Sequence, residues 1–265
     1  MQFRDRYDIV KLLGRGTTAS VYFVRDKHLN VHWAAKVFDT SGFEMTDWLC
    51  MEHEIELLKR IRSLYLPRIV DLYREEHRTY VVMDYMEGVP LDRYIQRYGA
   101  VGEVLTVQWM SELCDMIDQL HQMQPTIVYC DLKPENILVQ KDGHLGLVDL
   151  GSARSLQTTP NANLPFTGTP GFCAPELFLT EENPYNLQDT TWHPATCSPL
   201  SIVADIYSIG AVGVFLLGGI SQVSLELLEG RISRSLFGIL QKCLAPVSSR
   251  IDTCNRLKEA LQKIC

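Results

Sequence analysis

The run from 128 to 139 reads Val-Tyr-Cys-Asp-Leu-Lys-Pro-Glu-Asn-Ile-Leu-Val and sets a carboxylate (Asp131), an ammonium (Lys133) and an amide (Asn136) close together. A second carboxylate, Asp149, follows in Leu147-Val148-Asp149-Leu150-Gly151. Phosphoryl transfer from a triphosphate needs these group types. Asp131 can take the proton of an attacking hydroxyl, and Lys133 can neutralise charge on the group in flight. Asn136 and Asp149 offer one neutral and one charged oxygen to a hard cation, which suits Mg²⁺ or Mn²⁺ rather than zinc. Each residue alone is more often solvated surface; their spacing makes them a set.

Two further features fit the same chemistry. Lys36 lies in an otherwise apolar run, Trp33-Ala34-Ala35-Lys36-Val37-Phe38, and needs an anion to hold it. Over 44–62 the apolar residues Trp48, Met51, Ile55 and Leu58 recur at helical spacing. Glu54 falls on that inward face, while Glu52 and Glu56 point away. An inward glutamate is costly unless paired, so a Lys36–Glu54 ion pair resolves both oddities. Gly14-Arg15-Gly16 forms a turn between two strands, where the lack of a Cβ lets backbone N–H groups approach phosphate oxygens. A plain hairpin turn looks the same. Its strand-to-strand placement argues against a dinucleotide fold, where such glycines open a helix.

The elements that must position these groups divide in two. The first third reads as short strands at 9–13, 21–24, 33–38, 69–72 and 79–85 around the 44–62 helix, with Ser41 and Glu44 as a candidate capping box. From Leu91 the chain is mainly helical. A long amphipathic helix at 104–123 carries Leu105, Trp109, Leu113, Ile117 and Leu120 on one stripe. Short strands are expected at 127–128, 137–139 and 145–148, a loop at 155–166, an irregular stretch at 177–203, and helices up to 264. No internal repeat or low-complexity tract is present.

Composition narrows the partners. The net charge of −7, with no offsetting Lys/Arg block, argues against nucleic acid. The eight cysteines show no metal-like or disulfide-like spacing and read as free thiols of a reducing, cytoplasmic setting. No secretory leader is visible, and the apolar stretch 206–220 is shorter than the roughly 20 residues that span a bilayer. It is expected as a buried helix.

These motifs together resemble the eukaryotic-type protein kinases over essentially the whole chain. Gly14-x-Gly16-x-x-Ala19 with Val21 resembles their phosphate-covering loop, and Ala34-Ala35-Lys36 with Glu54 their strand lysine and helix glutamate. Asp131 to Asn136 is similar to the catalytic loop, Asp149-Leu150-Gly151 to the magnesium motif, and Gly168 to Glu176 to the end of the activation segment. Asp205 matches the aspartate of the central helix, and Arg250 the arginine that pairs with Glu176.

The resemblance implies an α+β, bilobal fold: an N-lobe of antiparallel sheet plus one helix at 5–85, and a mainly helical C-lobe at 86–265. It implies ATP and Mg²⁺ (or Mn²⁺) as cofactors. Val21, Ala34 and Leu138 are expected around the adenine, Met83 at the gatekeeper position, and Asp84, Tyr85 and Met86 as the hinge. Leu58, Leu72, Tyr129 and Leu150 are expected to stack as a spine. Lys133 followed by Thr169 resembles the serine/threonine-specific branch, which implies protein substrates. The segment 65–67 resembles bacterial members.

Cys130 departs from the pattern, because arginine normally precedes the catalytic aspartate and clamps an activating phosphate. Activation by phosphate on Thr158, Thr159 or Thr167 is therefore disfavoured. Beside an active Ser/Thr protein kinase stand two alternatives: a nucleotide-binding pseudokinase or scaffold, and a small-molecule kinase. Gly168-Thr169 and Ala174-Pro175-Glu176, elements of peptide-binding activation segments, speak against the second.

Overall fold

Alternation of period two in the first third produces a sheet with two chemically distinct faces. In a computed structural model, which describes residues 2–156, 168–177, 200–219 and 224–264, strands β1 (Tyr7–Arg15), β2 (Ala19–Asp26), β3 (His32–Asp39), β4 (Ile69–Glu75) and β5 (Arg78–Met83) form an antiparallel sheet in the order β1-β2-β3-β5-β4. Directly opposed residues share a face. Ala35 therefore sides with its partners Tyr22 and Val82, and this face packs with Val24 and Tyr80 against Phe3 and Tyr7. Phe3, on the short helix α1 (Phe3–Arg6), stacks on Tyr80 at 4.2 Å between ring centres. The opposite face carries Val21 against Lys36 and Ala34 against Met83.

Helix α2 (Met45–Arg60) occupies the expected span. Met51, Ile55 and Leu58 are buried, but Trp48 is 38% exposed. It lies in the first turn, where it meets Phe43 edge-on, rather than over the core. The capping box also falls three residues later than expected, at Glu44 and Asp47. Asp39 captures the Ser41 backbone and hydroxyl in the turn Thr40–Gly42, and Glu44 donates its N–H to Asp47 at 3.0 Å.

The chain forms two compact units, Met1–Glu87 and Gly88–Cys265. The second holds helices α3 (Leu91–Tyr98), α4 (Glu103–His121), α5 (Val203–Gly218), α6 (Arg234–Cys243) and α7 (Cys254–Gln262). Its strands are short. β6 (Val89–Pro90), β8 (Ile137–Val139) and β9 (Leu145–Leu147) form one sheet, and β7 (Ile127–Val128) pairs with β10 (Arg154–Ser155). The antiparallel sheet with one long helix, followed by a mainly helical half, is the expected α+β arrangement. Trp109, Leu113, Ile117 and Leu120 bury the stripe of α4, while Leu105, at its start, stays half-buried. The loop at 155–166 and the stretch 177–203 lie mostly outside the described residues, as do Thr158, Thr159 and Thr167.

Helix α5 contains most of the long apolar stretch and is apolar nearly all round because it is enclosed nearly all round. No helix among the described residues is long and apolar enough to cross a membrane. Close approach to α6 dictates Gly210: a Cβ there would lie 2.4 Å from the Cβ of Cys243. In a helix interior alanine normally stabilises by about 1 kcal/mol over glycine. Gly210→Ala is instead expected to destabilise by about 1–3 kcal/mol through overpacking. Urea denaturation checks this, and an unchanged or higher midpoint would contradict it.

Candidate active site

In the first unit, strand register and helix face together set the charge pair. Lys36 projects from β3 on the face that carries Val21, Ala34 and Met83, and Glu54 projects inward from the middle of α2. Lys36 Nζ lies 2.6 Å from Glu54 Oε1, with both side chains largely buried. Glu52 instead pairs with Arg74 on the surface, and Glu56 with Lys59. Helical phase, not proximity in sequence, selects the partner of the lysine.

Gly14 and Gly16 bracket the turn between β1 and β2. A bulge between Leu12 and Gly14 twists the end of β1, and Gly16 donates its N–H to the Ala19 carbonyl at 2.8 Å. Nothing lies within 4 Å of where a Gly14 Cβ would be, so this turn is open. After β5 the backbone N–H of Asp84 bonds the Arg68 carbonyl, and its carboxylate pairs with the Arg68 guanidinium at 2.7 Å. Tyr85 rests edge-on against Phe23, and Met86 is half-buried.

In the second unit the loop between β7 and β8 carries the densest chemistry. Asp131 and Lys133 meet at 2.7 Å. The Thr169 hydroxyl closes the group, donating to Asp131 Oδ1 at 2.7 Å and accepting from Lys133 Nζ at 2.8 Å. Burial raises the carboxyl of Asp131 above its usual range and Asp149 adds to this, against the opposing pull of Lys133 and Thr169. A carboxyl raised in this way by burial beside specific charged partners marks a functional-site candidate.

Hairpin geometry brings the oxygen donors to the same place. β8 and β9 pair Ile137 with Leu147, and the Val148 N–H bonds the Asn136 carbonyl at 2.9 Å, which sets Asp149 beside Asn136. Asn136 Nδ2 donates to both the backbone oxygen (2.9 Å) and the carboxylate (3.2 Å) of Asp131. The amide oxygen is thereby the atom left for a cation. Asp149 is exposed and takes a left-handed φ of 70°. Gly151 N–H bonds its Oδ1 at 3.0 Å, and the buried Arg154 guanidinium donates to the carbonyls of Gly151 and Ala153. Asn136 and Asp149 thus offer one neutral and one charged oxygen, the hard donor type that suits Mg²⁺ or Mn²⁺. Leu138 lies in β8 and is buried.

Buried Asp205 holds the loop from behind. It accepts the N–H groups of Tyr129 at 2.8 Å and Cys130 at 2.9 Å, and meets His121 Nε2 at 2.9 Å. Cys130 sits at φ 69°, a left-handed conformation uncommon for a non-glycine residue, and these bonds fix it. Burial pushes its thiol well up, so the position carries no charge with which to clamp a phosphate. Burial pulls His121 down, but hydrogen bonds to Asp205 and Cys254 outweigh it and raise the imidazole to about 10. It is therefore an imidazolium paired with Asp205. Arg250 grips Glu176 with two bonds, at 2.6 and 3.0 Å.

Sequence reasoning did not single out His121 or Cys254 for this site. His121 was visible only as the polar last residue of an apolar helix, and Cys254 stands 133 positions away from it. Thr169 carried a signal, its place after Gly168, but its bridging of Asp131 and Lys133 emerges only in three dimensions.

Residues 7–224 match the family model described as protein kinase domain. The chain is 30% identical over 197 residues to the cAMP-dependent protein kinase catalytic subunit of Schizosaccharomyces pombe, which covers 71% of this chain and 37% of that protein. It is 30% identical over 213 residues to mouse myosin light chain kinase family member 4, covering 80% of this chain and 50% of that one. For the serine/threonine-protein kinase kin-29 of Caenorhabditis elegans the figures are 28% over 213 residues, 80% and 24%. The matched part thus spans half or less of each of these relatives.

Proposed function

This chain belongs to the protein kinase family, and we propose that it transfers the terminal phosphoryl group of ATP to serine or threonine hydroxyls of protein substrates. The observation that carries this reading is the closed group of Asp131, Lys133 and Thr169, all within 2.8 Å of one another. Asp131 receives the proton of the incoming hydroxyl, and its raised carboxyl suits that task. Lys133 stands where it can turn from Asp131 toward the phosphoryl group, and Thr169 keeps both heads oriented. Lys36, fixed by Glu54, contacts the phosphates of the nucleotide, whose oxygens the backbone at Gly14 and Gly16 also meets. In the first unit Val21, Ala34 and Met83 offer apolar contacts to the adenine, and Asp84 and Met86 offer backbone groups; in the second unit Leu138 offers a further apolar contact.

Asn136 and Asp149 would hold Mg²⁺, or Mn²⁺, and the ion would supply charge neutralisation across the phosphates when bound. Six free cysteines among the described residues support a reducing, cytoplasmic setting. The relatives' names support protein substrates, whose identity rests with surfaces beyond the loop.

The test incubates the protein with Mg-ATP and a generic protein acceptor beside Lys36→Ala and Asp149→Asn. Phosphoserine or phosphothreonine is expected from the wild type, with each variant reduced by about 10²-fold or more, as for the loss of a charge-stabilising group. Nucleotide binding without transfer by the wild type would overturn the proposal in favour of a scaffold.

A further inference from the structure

Away from the loop that carries Asp131, a cationic groove runs between α6 and α7. Helix α6 lines it with Arg234, Gly238 and Lys242, four-residue steps that share one helix face. Helix α7 contributes Arg256, and Ser249 and Asp252 stand on the segment between the helices. The cavity is about 610 Å³.

The charges are unevenly committed. Arg250 also borders the groove, but its guanidinium is fully buried against Glu176 and is not offered. Asp252 meets Arg256 at 2.6 Å, but both are mostly solvated, so the pair is weak and easily exchanged. Among the described residues no carboxylate pairs with Arg234 or Lys242. On a chain of net charge −7, this is a local excess of positive charge.

Gly238 adds a second, independent observation. Glycine in the middle of a helix costs about 1 kcal/mol relative to alanine. Gly210 has a packing reason, but a Cβ at Gly238 would meet nothing within 4 Å. The protein's own packing leaves this residue unexplained, and it keeps the floor of the groove flat between the two α6 cations.

We propose that this groove docks an extended acidic segment of a partner protein, with its backbone crossing Gly238 and two carboxylates meeting Arg234 and Lys242. Eight residues of helix separate those cations by roughly 12 Å along the axis. Four residues of extended peptide advance about 13 Å and return the side chain to the same side. Acidic residues four apart therefore match the groove, whereas one phosphate cannot span it. The site does not depend on phosphoryl transfer, and a chain inactive in transfer still binds.

Fluorescence anisotropy with a labelled Gly/Ser peptide of about ten residues, carrying two glutamates four positions apart, tests the fit. The full chain is expected to bind it, less tightly as salt rises. The double variant Arg234→Glu/Lys242→Glu should weaken binding by about tenfold or more through loss of two charge contacts. Gly238→Leu should weaken it comparably with all charges kept, while Arg234→Lys should retain it. A peptide with glutamates two apart should bind roughly threefold more weakly, because an extended chain then spans only about half the gap. Thermal melting establishes that each variant is folded, and Asp131→Asn should bind like wild type, which separates this result from that of the transfer assay. Binding unchanged in the double variant, competition by inorganic phosphate as effective as unlabelled peptide, or binding to phosphatidylserine vesicles in place of peptide would overturn the proposal.

Discussion

Asp131→Asn is expected to lower kcat by about 10²–10⁴-fold, the range for loss of a positioned general base, with nucleotide affinity little changed. Asparagine is nearly isosteric and its oxygen still accepts the Thr169 hydroxyl. Its amide nitrogen replaces the oxygen that meets Lys133 and Asn136, so that contact is lost together with the proton acceptor. The direction of the carboxyl's shift adds a second readout. A folded-state value above the unfolded one means that ionisation weakens the fold, and stability from the protonated form is lost as pH rises through the folded value. Asparagine removes that ionisation, so its melting temperature should fall less than that of wild type as pH rises through the range of the carboxyl. Steady-state kinetics with calorimetry reads both effects. A variant with more than a tenth of wild-type kcat would remove Asp131 from the role of base.

Asp205→Ala is expected to be the most damaging single change to stability. It leaves two buried N–H groups without an acceptor and strips an imidazolium of its counter-charge. Removing one partner of a buried pair costs about 3–5 kcal/mol, which in a chain of this size lowers Tm by on the order of 10 °C. Activity should fall as well, because the same bonds hold Cys130 in its left-handed turn next to Asp131. The pH dependence identifies the cause. His121 rises from an ordinary 6.5 to about 10 in the fold, so its contribution is complete below pH 6.5 and disappears as pH rises through about 10. Wild type should lose stability across that window, and Asp205→Ala should lose less because its imidazole has little reason to stay charged. Parallel pH–Tm curves for the two proteins would refute the buried ion pair.

What the sequence made legible was whatever obeys a short period or a short spacing. Helical phase separated Glu54 from Glu52 and Glu56, and the lone charge of Lys36 in an apolar run asked for such an anion. Competition between local hydrogen bonds escaped the same reasoning. Asp39 takes Ser41 before Glu44 can, which moves the helix cap by three residues and leaves Trp48 on the surface. Asp205 and Arg250 could be assigned only through family resemblance, since nothing in their local sequence reports that one binds backbone and the other a distant glutamate. The His121–Cys254 contact had neither a period nor a motif to announce it. Long-range polar pairs of buried residues are fixed by packing, and sequence pattern carries little of that information.

The bond from Cys130 N–H to Asp205 spans 75 positions of chain. At a synthesis rate of roughly 5–20 residues per second, a ribosome needs about 4–15 s to supply the aspartate once the loop has been made. During that interval the first unit, with its Lys36–Glu54 pair, is complete in sequence, while the loop bearing Asp131 lacks its anchor. The Lys36–Glu54 pair can therefore form before the loop bearing Asp131 is anchored, and the anchor arrives late, with α5. Ribosome-bound chains stalled before Asp205 should show a protease-resistant first unit and a cleavable loop; protection of both at that stage would rule out this order of assembly.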